Sequence, residues 1–189
     1  MVRRGQGATR EWIFLRPKDQ LEQGEVHEVE RQGCVRQMYW AAFGYQSRTD
    51  LTAMDGNVDA DDIYELYSTI LPDFLESGDI FMHDNASVHT ARIVKNLLEE
   101  MGVDVMIWPP YSPDLNPIEN LWPLMKRKIY RLFPDLRTAP DNEDTLRQLR
   151  EAAKVAWLSI RQEVHENLCD TMDHRVEAIL RADGWYTKY

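Results

Sequence analysis

The sequence predicts an α/β fold with a helical C-terminal extension, and three features of its order carry the prediction. From residue 79 to residue 132, short apolar runs alternate with amphipathic stretches as strand, helix, strand, helix, the order of parallel pairing. Ahead of them lie two aromatic and β-branched runs that read as an antiparallel pair. After residue 144 the apolar spacing is helical throughout.

In chain order, residues 11–16 form a short strand stopped by Pro17, and residues 35–45 a longer one following Gly33. From Asp59 the residues Ile63, Leu66, Tyr67, Ile70, Leu71 and Phe74 recur at spacings of three and four, the stripe of an amphipathic helix. Residues 79–83 read as a short buried strand, followed by a polar turn, Asp84 to Ser87. A helix over 91–100 turns Ile93, Val94, Leu97 and Leu98 inward and stops at Gly102. Residues 103–108 make another strand, ended by Pro109 and Pro110. Pro117 opens a helix carrying Ile118, Leu121, Trp122, Met125, Ile129 and Leu132 on its inner face. Residues 1–133 are thus expected to form the α/β core, 134–144 a linker loop, and 145–189 a helical extension docked on the core. In the extension, Leu146, Leu149, Ala153, Ala156 and Ile160 form one stripe, and Leu168, Met172, Val176, Ile179 and Leu180 another.

The formal charge of −10 over 189 residues excludes binding to a polyanion by bulk charge. The deficit is local. Residues 50–79 hold nine acids and no Lys or Arg, leaving 23 acids against 22 bases elsewhere, so the rest of the surface can carry basic patches. Cys34 and Cys169 form no disulfide framework and no zinc pattern, which points to a reducing compartment. No run approaches a membrane span and the start lacks a secretory signal, so an intracellular protein without a membrane partner is expected.

Asp84 follows a predicted strand and Glu119 lies in the first turn of a predicted helix, with 34 residues between them. Strand and helix ends can bring two carboxylates to one sheet edge, and paired carboxylates are the oxygen donors that hard divalent cations take. Both residues also have structural readings: Asp84-Asn85 suits a strand exit, and Asn116, Pro117 and Glu119 suit a capping box.

The surrounding residues weigh further. IFMHDNASVHT (residues 80–90) and WPPYSPDLNPIENLW (residues 108–122) resemble the two signature blocks of Tc/mariner transposases, in the Asp-Asp-Glu branch with this 34-residue spacing. Similarity extends to Arg10-Glu11-Trp12, to residues 39–43 and to residues 168–189. The resemblance implies a ribonuclease-H-like mixed sheet flanked by helices, a site for two Mg²⁺ or Mn²⁺ ions, and cleavage and transfer of DNA strands in the nucleus. Its partners would be DNA, as transposon ends and target, and a second copy of the chain, with no small-molecule cofactor. Asp84 matches the second acid of the family and Glu119 the third, both as metal ligands that drive in-line attack.

No residue here matches the family's first acid, because Asp19, the first Asp in the chain, falls in the turn after Pro17. The strand that carries that acid is central in the fold. Its absence would leave two unpaired sheet edges, low stability or a strand donated by another chain, and little or no cleavage. Asn85, His89 and Asp114 are candidate supporting residues; Lys126, Arg127, Lys128 and Arg131 are candidate contacts to DNA phosphates. His165, Cys169 and His174 have a metal-like spacing without a fourth ligand. Two other readings stay open: a transposon-derived nucleic-acid-binding or protein-interaction module without catalysis, and another metal-dependent phosphohydrolase of the same fold.

Overall fold

Two small sheets stand where the sequence predicts one. The computed structural model describes residues 2–3, 35–109, 112 and 115–182. Strands β1 (Val2–Arg3), β2 (Arg36–Trp40) and β3 (Thr52–Met54) form an antiparallel sheet in the order β1-β2-β3. Strands β4 (Ile80–Phe81) and β5 (Asp104–Val105) form a separate parallel pair. The predicted antiparallel partner at residues 11–16 lies outside the described residues. Instead β2 pairs with β1 (Val2↔Gln37, Arg3↔Arg36) and with β3 (Met38↔Met54, Tyr39↔Ala53, Trp40↔Thr52).

The helices are α1 (Ala60–Phe74), α2 (Ser87–Thr90), α3 (Arg92–Glu100), α4 (Ile118–Leu132), α5 (Glu143–Leu158), α6 (Gln162–Asp170) and α7 (Met172–Arg181). Helix α1 begins at a reciprocal capping box: the Asp59 carboxylate accepts the Asp61 and Asp62 N–H groups, and Asp62 accepts the Asp59 N–H. This places part of the acidic block at the positive end of the helix dipole, where negative charge is stabilised. Gly102 ends α3 with φ 68°, the left-handed conformation that glycine adopts without steric cost. The linker is partly structured, with a 3₁₀ turn at Pro134–Arg137 whose Leu136 is buried.

Two hydrophobic cores flank the break between the sheets. The first gathers Tyr39, Ala41 and Leu51 from the antiparallel sheet with Leu121, Met125 and Ile129 of α4 and Leu149, Ala153, Ala156 and Trp157 of α5. The second joins Ile63, Leu66, Tyr67 and Leu71 of α1 to Phe81 and to Val94, Leu97 and Leu98 of α3. Trp157, fully buried, stacks on Trp122 at 5.9 Å and donates its indole N–H to the Thr49 carbonyl at 2.9 Å. Arg48 caps the C-terminal carbonyls of this region, donating to Leu158 O and Ile160 O at 2.8 and 2.6 Å. These contacts dock α5 on the β2–β3 hairpin.

The helix stripes need several corrections. Ile93 is 39% exposed, Leu132 43%, Val176 45% and Leu180 74%, because each sits at the rim of its stripe or at a helix end with no element among the described residues packed over it. The two parallel strands are shorter than predicted. Ile80 is exposed although residues 79–83 read as a buried strand, and Ile107 is almost entirely exposed; among the described residues the pair has no further strand beside it. Among the described residues, no helix is long and apolar enough to cross a membrane.

Candidate active site

The site forms where the chain leaves β4. Asp84 is exposed, and its Oδ1 accepts the Ala86 N–H at 2.9 Å, closing an Asx turn. His89, one turn into α2, places Nε2 3.8 Å from the same oxygen. Asn85 points the other way and donates from Nδ2 to the Trp108 carbonyl at 2.8 Å, which ties this turn to the end of the second parallel strand.

Behind Asp84 stands a cluster of rings. Tyr67 Oη lies 2.9 Å from His89 Nδ1, and the two rings stack almost parallel with centroids 5.9 Å apart. His83 packs edge-on to His89 at 5.2 Å, and its Nδ1–H donates to the Asp84 carbonyl at 2.9 Å. Burial lowers the pKa of both histidines from the ordinary value of 6.5, and the neighbouring His83 lowers that of His89 further. Burial, reinforced by the Asp84 charge, raises the pKa of the Tyr67 hydroxyl. Tyr67 therefore keeps its proton and both rings are neutral near pH 7. The acceptor-only carboxylate of Asp84 favours a proton on His89 Nε2, and the Nδ1 lone pair then takes the Tyr67 O–H.

Glu119 lies in the first turn of α4. The capping box suggested by the sequence does not form: the cap position is Pro117 with no side-chain cap bond, while Asn116 Oδ1 accepts the Ile118 N–H at 3.2 Å. The Glu119 carboxylate is exposed and makes no hydrogen bond to the described residues. Its helix is clamped from the C-terminal extension. Arg175, 2% exposed on α7, donates to Asn120 Oδ1 at 2.6 Å and to Thr171 Oγ1 at 2.9 Å.

Asp84 and Glu119 line one cleft of about 620 Å³, together with Tyr67, His83, His89 and Trp122. Asp84 Oδ2 and the Glu119 carboxylate accept no hydrogen bond from the described residues, and such oxygens suit a hard divalent cation. Among the described residues no three His, Cys, Asp or Glu side chains converge as a complete set. Asp114 lies outside the described residues. Of the basic set, Lys128 donates to the Ser159 carbonyl at 3.0 Å and so braces α4 against the end of α5, whereas Arg127 and Arg131 are exposed. His165 is buried without a hydrogen bond to the described residues, and Cys169 is a free thiol whose pKa burial raises. Sequence reasoning reads Tyr67 as core alone; the available signal is that a buried tyrosine hydroxyl needs a partner.

The fold defines the class first. It matches solved ribonuclease-H-like catalytic domains: the Mos1 transposase catalytic domain solved with raltegravir and Mg aligns with TM-score 0.57 at 19% identity, covering 80% of this chain and 77% of that one. A Mos1 paired-end complex with the left transposon end aligns over 94% of this chain and 51% of that one, with TM-score 0.63 and 21% identity. Within that class the family model described as DDE superfamily endonuclease matches residues 15–139, and the chain belongs to this family, in its Tc/mariner transposase branch. The Caenorhabditis elegans transposable element Tc1 transposase is 30% identical over 156 residues, and the Caenorhabditis briggsae Tcb1 transposase 32% identical over 157. Each match covers 80% of this chain and 54% of the relative, so the chain spans about half the length of those proteins.

Proposed function

We propose that this chain contributes to DNA strand cleavage and strand transfer by a transposase, with Asp84 and Glu119 as two of the carboxylates that hold divalent cations. The observation that carries this reading is that both acids open on one cleft with carboxylate oxygens not spent on helix caps. Mg²⁺ or Mn²⁺ bound there would polarise a phosphodiester and lower the pKa of a water or 3′-hydroxyl. The Mos1 neighbours were solved with Mg, with Mn and with transposon ends, which supports the same cations and the same kind of DNA partner here, and a pair of copies acting together.

The chain's own residues orient rather than react. The Ala86 N–H holds Asp84 Oδ1, with His89 Nε2 3.8 Å from the same oxygen, and Oδ2 is left for a ligand. Asn85 fixes the distance between the Asp84 turn and the loop that leads to Glu119. Arg175, through Asn120, holds the first turn of α4 in place. Exposed Arg127 and Arg131, with Lys126, supply phosphate contacts that position DNA without reading its sequence.

Expressed by themselves, the 189 residues supply two matched acids, so their nicking of DNA is expected to stay at background. Cation binding separates this reading from a non-catalytic module. Mn²⁺ affinity measured by calorimetry should fall about tenfold or more in Asp84→Asn and in Glu119→Gln. Unchanged affinity in both variants would sink the metal-ligand assignment, and Mn²⁺-dependent nicking abolished by Asp84→Asn would overturn the expected inactivity.

A further inference from the structure

Three aromatic rings from three elements aim one hydrogen-bond donor into the cleft. Trp40 of β2 lies tilted on Tyr67 of α1 with centroids 6.0 Å apart, and its indole N–H is hydrogen-bonded to the Tyr67 hydroxyl. An indole N–H can only donate. The Tyr67 oxygen therefore accepts from Trp40, and its own O–H is left for His89 Nδ1 at 2.9 Å. In the reverse arrangement the oxygen would accept twice and strand its proton at a fully buried residue, the costly case of an unsatisfied donor. His89 thus carries its ring proton on Nε2.

That N–H opens on the cleft. The His89 side chain is 17% exposed and lines the cleft with Asp84 and Glu119. Its Nε2 stands 3.8 Å from Asp84 Oδ1, beyond hydrogen-bond reach, and makes no hydrogen bond to the described residues. The ring is held in place: Tyr67 stacks on its face and binds Nδ1, and His83 packs against it edge-on at 5.2 Å. Among the described residues no Lys or Arg lines this cleft, so an anion entering it finds neutral donors only. Of these, His83 spends Nδ1 on the Asp84 carbonyl and Tyr39 spends its hydroxyl on the Leu149 carbonyl.

We propose that His89 is a substrate-contacting residue of this site, whose neutral imidazole donates Nε2–H to a non-bridging oxygen of the phosphodiester bound beside Asp84 and Glu119. The proposal rests on the reading of the cleft as a cation and phosphodiester site. No proton changes hands. The donor is aimed before the phosphate arrives, and its bond strengthens as negative charge gathers on that oxygen during in-line attack, which is how a preorganised donor favours a transition state. Trp40 and Tyr67 act through the ring, as positioning residues.

The test uses the full chain labelled with ¹⁵N-histidine, Mg²⁺, and thymidylyl-thymidine as a probe with a single phosphodiester. In the free chain the His89 proton is expected on Nε2, and its resonance should move downfield with the dinucleotide but not with Mg²⁺ alone. Dinucleotide affinity should fall about tenfold or more in His89→Leu, and His89→Gln, whose amide N–H can replace Nε2–H, should bind at least about threefold more tightly than the leucine variant. A dinucleotide that fails to bind, or that binds Asp84→Asn as tightly as the wild type, overturns the cleft reading and the proposal with it. Binding that depends on Asp84 while the Nε2 proton stays unmoved overturns the proposal alone. So does a proton found on Nδ1, or a shift with Mg²⁺ alone, which places the ring on the cation. Equal affinities of the leucine and glutamine variants also overturn it, since they mark a packing role for the ring.

Discussion

Tyr67 Oη and His89 Nδ1 lie 2.9 Å apart with their rings stacked, so the buried face of α1 holds the imidazole that approaches Asp84. Removing this hydroxyl tests whether the ring cluster positions Asp84. Tyr67→Phe keeps the ring and its packing and loses the bond, and should destabilise the chain by about 0.5–1.5 kcal/mol in urea unfolding. The ¹⁵N shifts of His89 should move toward a mixed tautomer population. Unaltered His89 shifts would mean that the tyrosine does not set the tautomer.

The periodicity of α1 and α4 was legible because their stripes run for four turns and their buried sides face real neighbours. The strands were harder to read. Burial of an apolar run depends on what lies beside it, so Ile80 and Ile107 read as core yet stand exposed at a two-stranded pair. Strand β3, Thr52–Met54, went unread inside the acidic block, since three residues give no alternation to detect. The two carboxylates were legible through the blocks around them. The clamp from Arg175 was not, because a polar residue in a helical stripe reads as solvent-facing, and its burial is decided by an acceptor 55 residues away, Asn120.

That clamp makes Arg175→Met a sensitive probe. Methionine retains much of the aliphatic stem and loses charge-assisted bonds, which are worth about 1.5–3 kcal/mol each when measured by substitution. A loss of about 2–3 kcal/mol is expected, accompanied by faster amide exchange in the first turn of α4, where Glu119 sits. Destabilisation without any change in α4 exchange would restrict Arg175 to holding α7.

The basic residues of α4 should separate into two groups. Lys128→Ala removes the bond to the Ser159 carbonyl and should lower stability by up to about 1 kcal/mol with little effect on DNA affinity beyond one charge. Arg127→Ala and Arg131→Ala sit on exposed positions and should leave stability within about 0.5 kcal/mol. If they contact phosphates, each should reduce the salt slope of DNA binding by about one. Salt titrations that give identical slopes for the wild type and both arginine variants would remove this face from the DNA interface.

His165 offers a pH test away from the carboxylates. It is fully buried between Phe43 and Trp157, with neither ring nitrogen hydrogen-bonded among the described residues, and burial, aided by the Arg48 charge, lowers its pKa from 6.5. The unfolded chain therefore takes up a proton at higher pH than the folded one. Stability conferred by the neutral ring is full above 6.5, falls as the pH drops through that value, and stops falling below the folded pKa. His83 and His89 contribute with the same sign, since burial lowers both. His165→Leu removes one contribution and two unsatisfied nitrogens, so near pH 7 it should match the wild type or exceed it by about 1 kcal/mol. Below pH 6.5 its urea midpoint should decline less steeply than that of the wild type. Parallel declines in the two proteins would show that the imidazole finds a partner for its proton in the folded state, and the burial argument for this residue would then fail.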